Sequence, residues 1–305
     1  MIPRIQRSML ILPAHIRRFT EKAHLRDADA IVLDLEDAVP LTEKKEARKF
    51  LPEVVTAVGR GGADVLVRIN NEPDLFPDDL ASAVCQGLHG IFVPKVETTT
   101  RLREIGEIIQ ELERKNGMEA GSVKLSLQVE SPRGVRRITD ILTVTDRTES
   151  VSLGVDDYCL ELGVEPSGEG LELLYPLSFL VLSCKDQGVI PLGILGSVAQ
   201  VRDLAAFEQA AIRGRQLGCE GAYCVHPDQV KILNRVFSPS PEAVEYAQRV
   251  VEAFEEGLAT GRAAITLDGK MIDTPVYKRA KCTLHRAFAI AETERRKAAA
   301  LERLR

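Results

Sequence analysis

Asp34, Glu36 and Asp37, then Arg68 and Asn70, Lys95 and Glu97, Gln128 and Glu130, Asp156 and Asp157, and finally His226 all stand at the ends of short apolar runs. Acids dominate this set. Several carboxylates brought into one enclosed space repel one another unless a cation sits among them. Oxygen ligands without a cysteine or a histidine pair suit Mg2+ or Mn2+ better than zinc. Arg68 and Lys95 add positive charge for an anionic substrate or intermediate. Each charge taken alone also has an ordinary structural use. Arg68 can pair with Glu36 or Asp37, Lys95 with Glu36 or Glu97, and His226 can hydrogen-bond the loop that opens on Pro227.

The elements that must position these residues are eight short strands separated by helices. The apolar runs are Ser8–Leu12, Ala30–Leu35, Val65–Ile69, Gly90–Pro94, Lys124–Val129, Ser150–Val155, Val189–Leu192 and Gly221–Val225. Most are continuously apolar, as strands covered on both faces are. Between them lie amphipathic stretches such as Thr99–Arg114, where Leu102, Ile105, Ile108, Ile109 and Leu112 recur every three or four residues. No G-x-G-x-x-G follows the first run, and eight βα repeats predict a closed (β/α)8 TIM barrel instead of an open doubly wound sheet. A barrel places its active site at the C-terminal ends of its strands, where the polar residues above fall. The barrel is expected over residues 1–237 and a helical extension over 238–305. That extension holds a helix at Pro241–Gly257, the segment GRAAITLDGKMIDTPVYKRAKCTLHRA, and a charged, Ala-rich stretch from Ala289 to Arg305 that reads as a solvated helix or frayed tail. If the sixth strand continues to Val155, alternation of side chains turns Asp156 away from Asp157.

Composition narrows the function. The chain has 305 residues, is 45% hydrophobic and 28% charged, and carries a formal charge of −5, which gives no electrostatic reason to expect nucleic acid. Its six cysteines form no C-x-x-C pair and read as reduced thiols of a cytoplasmic protein. The N-terminal apolar run is too short for a signal peptide, and no stretch is long enough to span a membrane.

Several strings in the chain resemble the citrate lyase beta-subunit family. They are RSMLILPA (from Arg7), VLDLEDAVPLTEKKEAR (from Val32), VRIN (from Val67), FVPKVET (from Phe92), VESPRG (from Val129), GVDDYCLELG (from Gly154), VHPDQV (from Val225) and LDGKMID (from Leu267). Their order and spacing hold from about residue 6 to 287, and the superfamily resembled includes malyl-CoA and citramalyl-CoA lyases and class II 2-oxo-acid aldolases. The resemblance implies that Glu130 and Asp157 ligate Mg2+ and that Arg68 binds the substrate carbonyl and stabilises an enolate. It also implies that Arg17, Arg18 and Lys22 lie where a coenzyme A or carrier-protein arm is met, with Glu36, Asp37, Lys95 and Gln128 completing the substrate site. Asp273 resembles an acid–base residue delivered from a neighbouring subunit of a homotrimer or of a hexamer of paired trimers; it is equally placed to cap the helix that starts at Thr274-Pro275. The implied reaction cleaves or forms a 3-hydroxyacyl thioester of the citryl, malyl or citramalyl type, giving an acyl thioester and a 2-oxo acid.

Two positions depart from the family pattern. Pro176 and Leu177 stand where Ala-Arg is expected, and Gly193 stands near an expected aspartate, so a charged pair is missing at the mouth. Two other readings compete. A class II aldolase of 4-hydroxy-2-oxo acids fits Glu130 and Asp157, but a histidine is expected where this chain has Asp37, and the GKMID segment is not. A non-catalytic subunit that binds an acyl thioester or carrier protein would have lost Glu130, Asp157 or Arg68, and all three are present.

Overall fold

The computed structural model describes residues 4–199 and 201–304. Its strands are β1 (Ser8–Pro13), β2 (Ala30–Asp34), β3 (Asp64–Arg68), β4 (Gly90–Val93), β5 (Lys124–Val129), β6 (Thr148–Leu153), β7 (Ile190–Leu192) and β8 (Ala222–Cys224). All pair in parallel in the order β7-β6-β5-β4-β3-β2-β1-β8. A parallel bridge between Leu192 and Gly221, with the Gly193 amide donating to the Gly221 carbonyl at 2.9 Å, joins β7 to β8 and closes the barrel. On its other side Gly221 lies against the chain entering β1, where a Cβ would lie 1.7 Å from the carbonyl oxygen of Gln6.

The helices that wrap the barrel are α1 (Arg17–Thr20), α2 (Lys44–Gly59), α3 (Phe76–Ala83), α4 (Thr99–Lys115), α5 (Pro132–Arg136), α6 (Ile138–Leu142), α7 (Val155–Leu162), α8 (Leu171–Gln187), α9 (Leu204–Leu217) and α10 (Pro227–Val236). A 3-10 turn spans Ala23–Leu25. The main core fills the space between helices and sheet; Leu33, Val67, Ile91, Leu127 and Val151 from the strands meet Leu51, Leu80, Leu102 and Leu177 from the helices. A smaller core fills the barrel interior, with Met9, Val32, Leu66, Phe92, Leu192 and Tyr223. There Phe92 and Tyr223 stack at 4.5 Å, and the Tyr223 hydroxyl bonds Ser126, which bonds Ser150. The interior is thus packed solid below the site, as a barrel of this size requires.

The sixth strand ends two residues earlier than the apolar run predicts. Gly154 is the N-cap of α7, and Asp156 and Asp157 sit in its first turn. The two-residue alternation of a strand does not apply there, so the expectation that Asp156 turns away is corrected: both aspartates line the same cavity. Acids in a first helical turn also face the positive end of the helix dipole.

After the barrel come α11 (Pro241–Ala259), the hairpin β9 (Ile265–Leu267) and β10 (Lys270–Ile272), and α12 (Thr274–Glu302). Phe254 and Val250 of α11 pack against Ile272 and Ala280, and Phe254 stacks on Tyr277. The stretch from Ala289 is helical, but it is neither solvated throughout nor frayed. It is the last half of α12, returning to the barrel base, where Ala289 and Ile290 pack on Ile5. Lys297 is buried and pairs with Asp29 at 3.2 Å and with Asp27 at 2.7 Å. Asp29 in turn takes a fork from Arg7, whose Nη1 reaches Glu294 of the same helix at 3.0 Å. No helix among the described residues is long and apolar enough to cross a membrane.

Burial alone would push the Asp29 carboxyl up, but the guanidinium and amide of Arg7 and the ammonium of Lys297 hold it below the usual carboxylate range. Removing one partner of a buried pair leaves the other uncompensated. Asp29→Asn should therefore lower the unfolding free energy by about 3–5 kcal/mol at pH 7 in a denaturant titration. The depressed pKa contributes stability that is complete above the unfolded value and is lost as pH falls through the folded one. The gap between variant and wild type should narrow below about pH 4. A gap unchanged down to the acid transition would show that Asp29 does not stabilise by its charge.

Candidate active site

At the C-terminal ends of the strands lies a cavity of about 830 Å3. Asp34 ends β2 and Arg68 ends β3, and the parallel register sets the two side by side. Asp34 is fully buried and receives Nε and Nη2 of Arg68 at 2.6 Å each, together with the amides of Glu36 and Ala38. Glu36, also buried, accepts from Lys95 Nζ at 2.6 Å on one oxygen and lies 3.0 Å from Arg68 Nη1 on the other. Burial pulls the Arg68 guanidinium down, but Asp34 and then Glu36 more than offset it, so its pKa is raised. Two acids and two bases thus neutralise one another across β2, β3 and β4.

Lys95 is held in the left-handed region, with φ of 53°, which a non-glycine residue rarely adopts. Its surroundings over-determine that conformation. The Lys95 amide donates to Glu130 Oε1 at 2.6 Å, its ammonium bonds Glu36, and its carbonyl accepts from the Asn71 side chain at 3.1 Å. The turn thereby delivers an N–H to Glu130, a use for strain of the kind found at functional sites.

Glu130 follows β5 and is buried, and Asp157 opens α7 beside it. Gly154 makes room: a Cβ there would lie 2.3 Å from Glu130 Oε2. Among the described residues neither Glu130 nor Asp157 forms a salt bridge. Burial pushes Glu130 up to about 8, and the charge of Asp157 adds to that push; the Lys95 amide and ammonium offset it only partly. A buried carboxylate beside a second one, with no paired cation, is a fitting place for a divalent metal. No cluster of three or more His, Cys, Asp or Glu is assembled among the described residues, so the protein offers two carboxylates. That matches Mg2+, which takes one or two carboxylates and fills its octahedron with water and substrate oxygens.

The other residues singled out by sequence divide. Asp37 and Gln128 line the cavity, and the Gln128 amide oxygen is buried with no hydrogen-bond partner among the described residues. Lys95 and Glu36 lie behind Arg68 and Glu130 and position them. Arg17 and Arg18 are outside the lining; Arg17 pairs with Glu21, and Arg18 stacks on Phe19, which does line the cavity. His226 lines the cavity but caps α10 through Nδ1. Asp273 is absent from the cavity of its own chain and caps α12, accepting from the Val276 amide at 3.2 Å. Sequence reasoning missed Arg26, an exposed arginine of the lining, and the role of Asp34 as Arg68's clamp. The clamp was readable: two strands of equal length in parallel register end on an acid and a base.

The family model described as HpcH/HpaI aldolase/citrate lyase matches residues 7–227. Among curated proteins, the chain is 33% identical to the citrate lyase subunit beta of Haemophilus influenzae, over 93% of this chain and 97% of that one. It is 30% identical to a (3S)-malyl-CoA thioesterase of Cereibacter sphaeroides, over 93% and 95%. Among solved structures, the protein CitE of Mycobacterium tuberculosis, crystallised with magnesium, acetoacetate and coenzyme A, superposes with a TM-score of 0.70. It is 24% identical, and the match covers 92% of this chain and 97% of that one.

The geometry predicts that in metal-free protein Glu130 takes up its proton near pH 8, far above an ordinary carboxyl. Isotope-edited infrared titration of the carboxyl band should show it in wild type. Asp157→Asn removes the like charge and should move the titration down. Lys95→Met removes an opposite charge and should move it up. Titration of Glu130 at the normal carboxylate range in wild type would mean that Glu130 is not the buried acid beside Asp157 described above.

Proposed function

The chain belongs to the HpcH/HpaI aldolase/citrate lyase family, a family of carbon–carbon lyases, and from that premise we propose that it cleaves or forms a 3-hydroxyacyl thioester of the citryl, malyl or citramalyl type with the help of Mg2+. The observation that carries this reading is the juxtaposition of two carboxylates that form no salt bridge among the described residues, Glu130 and Asp157, and a guanidinium whose own charge partners hold it still, Arg68. Glu130 and Asp157 would hold the metal, with Mn2+ an acceptable substitute. When bound, the metal supplies Lewis-acid polarisation of an oxygen and a fixed anchor for the oxo acid.

Retro-Claisen cleavage of a 3-hydroxyacyl thioester leaves negative charge on the thioester oxygen. Arg68 is suited to receive it. Asp34 uses two of its five N–H donors and fixes the plane of the fork, Glu36 lies 3.0 Å from Nη1, and the two donors left belong to a side chain that lines the cavity. A preorganised donor of this kind contributes on the order of 3 kcal/mol to such a transition state. Gln128, with its unpartnered amide oxygen, and Asp37 are suited to orient the substrate. Arg26 and Phe19, beside Arg18, offer a cationic and apolar rim for the arm of coenzyme A or of an acyl carrier.

Proton transfer needs a carboxylate that is not bound to the metal, and Asp273 of a neighbouring copy fills that role in our reading, with 238–305 acting as the extension that delivers it. Support comes from the surface. Leu160, Leu162, Leu171, Leu174, Tyr175 and Leu182 of α7 and α8 are all exposed, as are Met271 and Phe288 of the extension. Apolar side chains grouped in this way beside a site mark a contact surface. Closing the mouth with a second chain would keep water from the enolate. The thioesterase relative favours a second outcome for the same site, hydrolysis of the thioester instead of carbon–carbon cleavage.

An assay with Mg2+ and malyl-, citramalyl- and citryl-CoA separates the outcomes. The lyase releases a 2-oxo acid and retains the thioester in the shorter acyl product, whereas a hydrolase releases free coenzyme A. Arg68→Lys should reduce turnover by about 100-fold or more. Glu130→Ala and Asp273→Ala should each be inactive, and co-refolding the two should restore part of the activity through sites built from both chains. No 2-oxo acid from any substrate refutes the lyase; mixed oligomers that stay inactive refute the shared site.

A further inference from the structure

Asn71 lies outside the cavity lining, yet it grips the turn on which Glu130 depends. Its side-chain amide donates to two successive carbonyls, Pro94 at 3.0 Å and Lys95 at 3.1 Å. Along an extended chain successive carbonyls face opposite sides, so one amide group reaches both only where the chain turns. The turn is at Lys95, whose φ of 53° is the left-handed value described above. A peptide unit is planar and trans, so its C=O and N–H point in opposite directions. The Pro94 carbonyl and the Lys95 N–H belong to one such unit. Asn71 therefore holds one edge of that unit, and Glu130 Oε1 takes the other edge at 2.6 Å. Among the described residues this N–H is the hydrogen-bond donor to the Glu130 carboxylate.

We infer that Asn71 is a positioning residue for the metal site: by gripping the Pro94–Lys95 peptide it aims the N–H that fixes the rotation of the Glu130 carboxylate. This rests on the reading of Glu130 and Asp157 as the residues that hold the metal. Asn71 is itself fixed from behind. The fully buried Asp79 of α3 accepts from the Asn70 backbone amide at 2.8 Å and from the Asn70 side chain at 2.7 Å, and Arg48 anchors Asp79 at 2.7 Å. The Asn71 Oδ1 is buried with no hydrogen-bond partner among the described residues, so the two N–H bonds are what set the side chain's orientation. Lys95 does not hold the turn unaided. A lysine released from these bonds leaves the left-handed region, and the peptide turns with it. Loss of a group that orients a metal ligand through a hydrogen bond typically weakens metal binding by about 10- to 100-fold.

Mn2+ titrated into the intact protein and followed by electron paramagnetic resonance tests the inference without relying on turnover. Asn71→Ala removes both donors, and Asn71→Asp keeps the shape while presenting a carboxylate to the two carbonyls. Both should weaken Mn2+ binding by about tenfold or more. The sign for Asn71→Asp separates positioning from simple charge, because one more negative charge near the site would by itself tighten binding of a cation. Asn234→Ala is the control. It breaks bonds of the same kind at the barrel base, to Asp27 and Ser8, and should leave Mn2+ affinity at the wild-type value. Melting curves show that each variant is folded, and Asn71→Ala decides alone if Asn71→Asp does not fold. Wild-type affinity in folded Asn71→Ala, tighter binding in Asn71→Asp, or an equal loss in Asn234→Ala overturns the inference and leaves the metal reading intact. No Mn2+ bound by the wild type defeats the metal reading and the inference with it.

Discussion

A carboxylate at the end of a buried parallel strand is tolerable only with a cation beside it, and the Asp34–Arg68 fork meets that condition. The rest of the site follows from it. With Asp34 holding two edges of the guanidinium, Arg68 is fixed in plane and leans toward Glu36; Glu36 in turn anchors Lys95, whose strained backbone gives its N–H to Glu130. Three strands are therefore linked by charge at one end of the barrel, and the linkage is neutral. Glu130 and Asp157 fall outside that neutral set. Burial first, and then the charge of Asp157, raises the pKa of Glu130, so an ionised pair there would favour a cation between them.

The opposite end of the barrel uses the same physics to a different purpose. Arg7 and Lys297 enclose Asp29, and the ion pairs tie the far end of α12 to the base of the barrel. The extension is thus anchored at its end, while its beginning, the hairpin and Asp273, stands away from the cavity of its own chain. That placement is what the proposed sharing of Asp273 between copies requires. Met271 and Phe288 of the extension are exposed apolar side chains.

Much of this was legible in the sequence because strands buried on both faces are short, continuous apolar runs, and whatever polar residue ends such a run stands at the barrel mouth. That reasoning located Arg68, Gln128, Glu130 and Asp157 at one cavity. It failed where the local period changes without a change in composition. SLGVDD stays apolar past Leu153, and only the turn at Gly154 converts strand to helix and brings Asp156 round to the cavity. The last half of α12 is the helix that its composition allowed, but its anchorage was not legible, because the buried face is small, Ala289 and Ile290, and the buried Lys297 reads as one more surface charge. In the basic cluster after β1, residue type could not tell which arginine faces inward; Arg26 lines the cavity, and Arg17 and Arg18 do not. The absent charge at positions 177 and 193 read as a loss, because sequence alone does not show that a leucine fills the space a glycine leaves.

The central claim is that Glu130 and Asp157 together bind one divalent cation while the Asp34–Arg68–Glu36–Lys95 set remains neutral without it. Electron paramagnetic resonance of Mn2+, titrated into the intact protein and competed with Mg2+, measures this directly. Wild type should bind one ion per chain. Glu130→Gln and Asp157→Asn should each weaken binding by at least about tenfold, and Arg68→Lys should leave the stoichiometry unchanged. Wild-type affinity in both carboxylate variants, or no bound ion in the parent protein, would contradict the account.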